Sequence, residues 1–140
     1  MLDLGANAEK LALGRVTLRQ ATLSALDAAM EIDKSENTPG LKGLKKLPHS
    51  AIQALAICKI ACPQAAQQCL DLAIQIHGGG GLSEDHPLAA MWVAARTLRL
   101  VDGPDEVHLQ SLSKAEKRTQ LRKLGGKEQK SHPGVGRPRL

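Results

Sequence analysis

Apolar residues mark out the first element of the chain. Leu11, Val16, Leu18, Leu23, Leu26, Met30 and Ile32 recur at close to helical spacing. No Pro interrupts them, and a single Gly14 is tolerable inside a helix. The pattern predicts a helix over residues 7–33, ending in the polar run Asp33-Lys34-Ser35-Glu36-Asn37. Pro39, Gly40, Gly43 and Pro48 then predict a linker. A second helix is expected from His49-Ser50 to His77. Ile52, Leu55, Cys62, Ala65, Cys69, Leu72 and Ile76 lie close to one stripe, and five alanines widen it, so this helix should be closely packed. Pro63 inside it should kink or divide it.

Gly78-Gly79-Gly80-Gly81 closes that helix, since glycine reaches positive φ without a Cβ clash. Pro87 is placed to open a third helix, which the pattern carries to about Val101. Leu88, Met91, Trp92, Ala95 and Leu98 form one face of it, with Trp92 as the expected core anchor and Arg96 and Arg99 pointing elsewhere. Asp102-Gly103-Pro104-Asp105-Glu106 breaks and restarts the chain. Acids in a first turn complement the helix dipole, so a fourth helix should follow, to about Leu121. The expectation is an all-α fold, an incomplete up-and-down helical bundle over residues 1–121, with a disordered basic tail over 122–140.

Composition narrows the reading. The 140 residues fit one domain, and with one Trp and no Phe or Tyr the core must be aliphatic. The net charge of +5 sits at the end. From Lys114 to Leu140 nine Lys and Arg face only Glu116 and Glu128, so the rest of the chain is slightly acidic. That tail has no interleaved aromatic residues, which argues against nucleic-acid binding. No apolar run is long enough to span a membrane. The acidic N-terminus does not resemble a transit peptide, and Pro138-Arg139-Leu140 matches a peroxisomal tripeptide only loosely. Cys58, Cys62 and Cys69 are an odd number on one helix, which suits a reducing compartment. They spread along its axis without a fourth ligand, so they read as packing residues and no metal site is expected.

Two loops carry the candidate chemistry. In Gln75-Ile76-His77-Gly78-Gly79-Gly80-Gly81, the glycines allow close backbone approach by a phosphate or flat cofactor, and Gln75 offers an amide. The competing reading is a helix cap and turn. In the second loop, Asp102 is either the N-cap of the fourth helix or a general base facing a substrate.

Read together, the two loops resemble the acyl-CoA dehydrogenase family. The resemblance rests on the run from Ala73-Ile74-Gln75-Ile76-His77 through the glycines to His86-Pro87-Leu88-Ala89, and on Arg96-Thr97-Leu98-Arg99-Leu100-Val101-Asp102-Gly103-Pro104-Asp105-Glu106-Val107-His108. It is specific over residues 51–117, looser over 11–33, and fails in the linker and after Leu121. The similar branch carries Asp-Gly-Pro-Asp-Glu-Val-His at this loop, and its animal members often place the dehydrogenase at the end of a longer multidomain chain.

The resemblance implies FAD-dependent oxidation of acyl-CoA to 2-enoyl-CoA. A carboxylate takes the α-proton while the β-hydride goes to the flavin. Many members use Glu before Gly as the base; here Asp102 stands at that position, one methylene shorter, as in its branch. The resemblance also implies FAD contacts at Gln75, Gly78, Gly79, Gly103, Pro104 and Glu106. Gln75 and Gly79 match positions that reach the cofactor across a subunit boundary. Pro104 and Glu106 stand where other members have Thr and Gln, and Glu106 must turn away from a diphosphate to avoid repulsion.

Family members also have an N-terminal helical domain, a middle β-domain and a helix with an Arg-rich, Phe-containing flavin motif. None of these is in the 140 residues. Weak or absent activity is therefore expected of the chain alone, with an acyl-CoA substrate only if other domains complete the site. The alternative is a non-catalytic helical fragment that pairs with a full-length relative. The resemblance further implies a homo-oligomer, and a mitochondrial or peroxisomal setting with the cytoplasm as an alternative.

Overall fold

The computed structural model describes residues 5–36 and 47–128. Four α-helices account for most of them: α1 (Gly5–Glu36), α2 (His49–His77), α3 (Leu88–Thr97) and α4 (Asp105–Glu128). A 3-10 segment, Gly78–Leu82, follows α2 directly. No strand occurs among the described residues, so the fold is all-α. The predicted linker from Asn37 lies outside the described residues up to Lys46, as does the tail from Gln129.

α2 is the hub. α1, α3, α4 and the 3-10 segment all pack on it, and among the described residues α1 touches no other helix. α1 runs antiparallel to α2: Gly14 meets Leu72 at one end, and the Cys62 thiol donates to the Ala21 carbonyl (3.5 Å) further along. α4 also returns antiparallel, from Asp105 beside Gln64 to Ala115 and Arg118 beside His49.

The packing corrects the expected polarity of α1. Most of its large apolar residues are not buried against α2. Val16, Leu23, Leu26 and Met30 are all more than half exposed. The inner face carries small residues at heptad-like spacing instead: Gly14, Thr17, Ala21, Ser24 and Ala28, of which Thr17 and Ala28 are buried. Small side chains let the two helix backbones approach closely. α2 answers in kind, with Ala51, Ala54, Ala56 and Ala65 buried while Ile52 and Ile57 are exposed. No large side chain is fully buried among the described residues. Of the predicted stripe, Cys62, Cys69 and Leu72 meet α1 and Ala65 is buried, while Ile52 at its start is exposed.

Other boundaries also shift. α2 passes undivided through buried Pro63, although that residue withholds the N–H due to the Lys59 carbonyl. α3 stops at Thr97, short of Val101, and its continuation is a series of turns. Pro87 lies at the N-cap and not inside the helix. Trp92 is half-buried beside a surface hollow lined by Gln67, Asp71 and Arg99, so it is not a core anchor. α4 continues past Leu121 to Glu128.

Candidate functional site

The Asp102 loop is pinned from both sides. Arg99, in the turns after α3, reaches Asp105 at the start of α4. Its Nη2 lies 2.6 Å from Asp105 Oδ2 and its Nε donates to the same oxygen at 2.8 Å. Arg99 Nη1 also donates to Gln67 Oε1 on α2 (3.0 Å), and Gln64 Nε2 donates to Asp105 Oδ2 (3.3 Å). Asp105 and Gln67 are both buried, so the loop is tied to the middle of α2 by a partly desolvated polar cluster. Burial pushes the Asp105 carboxyl up. The bonds from Arg99 and Gln64 and the charges of Arg99 and Arg96 outweigh it, and hold this carboxyl below its ordinary value. Nearby, Lys59 Nζ on α2 donates to the Leu98 carbonyl (2.9 Å), which satisfies an acceptor at the end of α3.

Asp102 stands at the crest of this loop, exposed, with φ at 55°. This is left-handed backbone, which Asp tolerates better than most residues. Gly103 follows at φ 95°. A Cβ there would lie 3.1 Å from His108 Nε2, so glycine is required both for the backbone angle and for the His108 ring. That Nε2 is buried with no hydrogen-bond partner among the described residues. α4 begins at Asp105, with Val107 N–H bonded to the Pro104 carbonyl (3.0 Å). Asp102 is therefore not the N-cap of α4. The cap reading is excluded by this geometry, and the Asp102 carboxylate is exposed on a loop whose flanks are tied to α2.

The glycine loop is built differently. α2 ends at His77 as the glycine run predicts, with Gly78 off the helical path, and a 3-10 segment follows. Gly78 has φ 62°, and a Cβ on it or on Gly79 would meet nothing within 4 Å. The demanding position is Gly81, where a Cβ would lie 2.9 Å from the Ile74 carbonyl oxygen. Gln75, Gly78 and Gly79 are all exposed. His77 Nδ1 bonds with the Ala73 carbonyl at 2.8 Å, and its ring meets His86 edge-on with centroids 5.3 Å apart. Beside this loop, an apolar groove of about 330 Å³ runs between α1 and α2, lined by Leu11, Leu18, Leu72 and Ile76 with Lys10 and Arg15 at its rim.

The structure groups the predicted residues into two sets and does not bring the sets together. Gly103, Pro104 and Glu106 surround Asp102, while Gln75, Gly78 and Gly79 lie near the far end of α2. The 3-10 segment contacts α2 and α3 but not α4. From Gln67, which holds the Asp102 loop, to His77 the helix rises about 15 Å. Arg99, Gln64, Gln67 and Gly81 were not among the predicted site residues.

Residues 1–116 match the model of the acyl-CoA dehydrogenase C-terminal domain. The chain belongs to the acyl-CoA dehydrogenase family. It is 41% identical over 114 residues to acyl-CoA dehydrogenase family member 11 of Mus musculus, covering 81% of this chain and 13% of that protein. It is 43% identical over 112 residues to a probable acyl-CoA dehydrogenase of Arabidopsis thaliana, covering 80% of this chain and 12% of the plant protein. A solved structure described as an acyl-CoA dehydrogenase from Mycobacterium abscessus superposes with a TM-score of 0.70 at 44% identity, over 85% of this chain and 26% of the other. The chain thus spans a small part of the relatives it matches. Among the described residues no helix is long and apolar enough to cross a membrane, and no group of three or more His, Cys, Asp or Glu is placed to hold a metal ion.

Proposed function

We propose that this chain supplies the base and part of the cofactor surface of an FAD-dependent acyl-CoA dehydrogenase, and that it needs further domains to act. The observation that carries the reading is the Asp102 loop. An exposed carboxylate stands on left-handed backbone, with its loop tied to α2 through Arg99 and Asp105. A base must be held at the proton it takes, and the ties from Arg99 and Asp105 to α2 support this loop. Asp102 would accept the α-proton of an acyl-CoA thioester whose carbonyl is polarised by hydrogen bonds.

The residues present fit FAD in part. Gly78 and Gly79 leave open space where the cofactor could approach the backbone, and the exposed Gln75 amide can donate or accept. Gly103 and Pro104 would lie along it beside Asp102. Glu106 is exposed on the first turn of α4, free to turn away from a diphosphate. FAD, when bound, supplies the two-electron acceptor. The separation of the two residue sets supports a shared site, with Gln75, Gly78 and Gly79 serving a cofactor held mainly by another subunit.

The same separation, with the outward apolar face of α1, favours a second reading: a helical fragment that pairs with a full-length relative without catalysing anything itself. Val16, Leu23 and Met30 form an exposed stripe that a partner would cover. Adding FAD to the chain joined to the missing domains of a relative, followed by gel filtration, distinguishes the two. Flavin that stays with the protein and bleaches with an acyl-CoA supports the catalytic reading. Loss of the flavin, or retained flavin that does not bleach, leaves the pairing role.

A further inference from the structure

Cys58 and Cys62 face the same way from successive turns of α2, with their Sγ atoms 3.6 Å apart. Both are half-buried, and Cys62 Sγ also donates to the Ala21 carbonyl of α1 at 3.5 Å. Cys69 lies on the same helix but turns to a different acceptor, the Gly14 carbonyl (3.6 Å). The three cysteines are therefore one pair and one separate thiol.

Geometry limits what the pair can do. A disulfide needs Cβ atoms about 3.8 Å apart. Residues on adjacent helical turns hold theirs about 5–6 Å apart, so direct oxidation requires local unwinding. A single atom bridging the sulfurs suits the spacing better. With bonds of about 2.3 Å, the length typical of zinc–thiolate, sulfurs 3.6 Å apart subtend an angle of about 100°. A linear two-coordinate soft ion would need a separation of about 4.6 Å on the same bond length. A tetrahedral ion would need further ligands, and no group of three or more metal-ligating side chains occurs among the described residues.

We propose that Cys58 and Cys62 form a dithiol site for trivalent arsenicals. The reaction is a condensation. An organoarsenic(III) oxide and two thiols give an arsenic bis-thiolate and one water. Two S–H bonds and the arsenic–oxygen bond break, two arsenic–sulfur bonds form, and the water carries both protons. Arsenic stays trivalent, so no oxidant is needed. The product is neutral, which suits the surroundings. Burial, with a smaller effect from the Cys58 bond and charge, pushes the Cys62 thiol up to about 11, which disfavours the thiolate that a metal ion requires.

Phenylarsine oxide is the probe. The reduced chain should take up one equivalent, read as a single mass increment by native mass spectrometry. The adduct should survive a hundredfold excess of glutathione and be stripped by 1,2-ethanedithiol. Cys58→Ser and Cys62→Ser should each lower the retained adduct at least tenfold, and Cys69→Ser should leave it unchanged. Far-UV circular dichroism identifies any variant that has lost its helices. Should one be lost, the glutathione challenge of the unsubstituted chain and the Cys69→Ser result still decide. Removal of the adduct by glutathione, or dependence on Cys69, overturns the proposal.

Discussion

Arg99 Nη2 and Asp105 Oδ2 lie 2.6 Å apart across the loop that carries Asp102, and the ion pair they make joins the turns after α3 to the start of α4. Asp105 is buried and Arg99 is about a third exposed, so the pair is partly desolvated and anchored by Gln64 and Gln67 as well. Removing the carboxylate leaves Arg99 without its counter-charge. Asp105→Asn should therefore destabilise the chain by about 1.5–3 kcal/mol, the range for hydrogen bonds to charged groups. Urea denaturation followed by circular dichroism measures this. A change within a few tenths would mean that the pair is incidental.

The same carboxylate predicts a pH dependence. Its value in the fold is lowered by the bonds from Arg99 and Gln64 against the upward push of burial. A carboxyl lowered on folding contributes stability that is fully present above its unfolded value of about 3.9 and is lost as pH falls through the folded value. The stability gap between the wild-type chain and Asp105→Asn should be constant from neutral pH to about pH 5. It should close below pH 4. A gap that persists unchanged to pH 2 would contradict the ion-pair account.

The glycines of the loop after α2 are not equivalent. Gly81 has the Ile74 carbonyl oxygen 2.9 Å from any added Cβ, and that atom is backbone with no room to give. Gly81→Ala should lower the melting temperature by several degrees, as a cost of about 1–3 kcal/mol implies for overpacking. Gly79→Ala adds its methyl to open space and should be close to neutral for stability. In an FAD-binding assembly, however, Gly79→Ala should weaken cofactor retention if the proposed approach of FAD to this backbone is right. Thermal melts of the two variants side by side check the first part, and flavin content checks the second.

α1 presents Val16, Leu23 and Met30 outward, each more than half exposed. A contiguous apolar stripe of this kind drives association. Sedimentation velocity should show self-association that rises with concentration. Replacing Leu23 and Met30 together with Ser should shift the chain towards monomer while leaving its helicity intact, since neither faces α2. An unchanged distribution of species would assign association to another surface.

The all-α class and the helix count were readable because periodicity and the Gly and Pro interruptions are local signals. Burial was not. The spacing of Leu11, Val16, Leu23 and Met30 is helical whichever way α1 is turned. A core built on Gly14, Ala21 and Ala28 leaves no strong hydrophobic mark, because small residues pack by letting backbones approach. Pro63 predicted a break, yet tertiary packing held α2 together. At the candidate site, Asp102 stood out through the family motif, while its cap reading was removed only by where α4 begins. Arg99 and Asp105 were visible as residues but not as partners, since pairing across a turn depends on the path of the chain. The four-glycine run announced a special backbone but could not show that Gly81 is the position under steric pressure.

The central claim is that Asp102 is the base of a dehydrogenase site completed by other domains. The direct test is a chimera in which residues 5–128 replace the matching segment of the Mycobacterium abscessus relative, whose fold corresponds over 85% of this chain. Anaerobic flavin absorbance is then followed on adding acyl-CoA. The account predicts that the chimera retains FAD and bleaches, and that the Asp102→Asn chimera retains FAD but bleaches at least a hundredfold more slowly, about 3 kcal/mol of lost transition-state stabilisation. Bleaching by the Asp102→Asn chimera at the unsubstituted rate would contradict it.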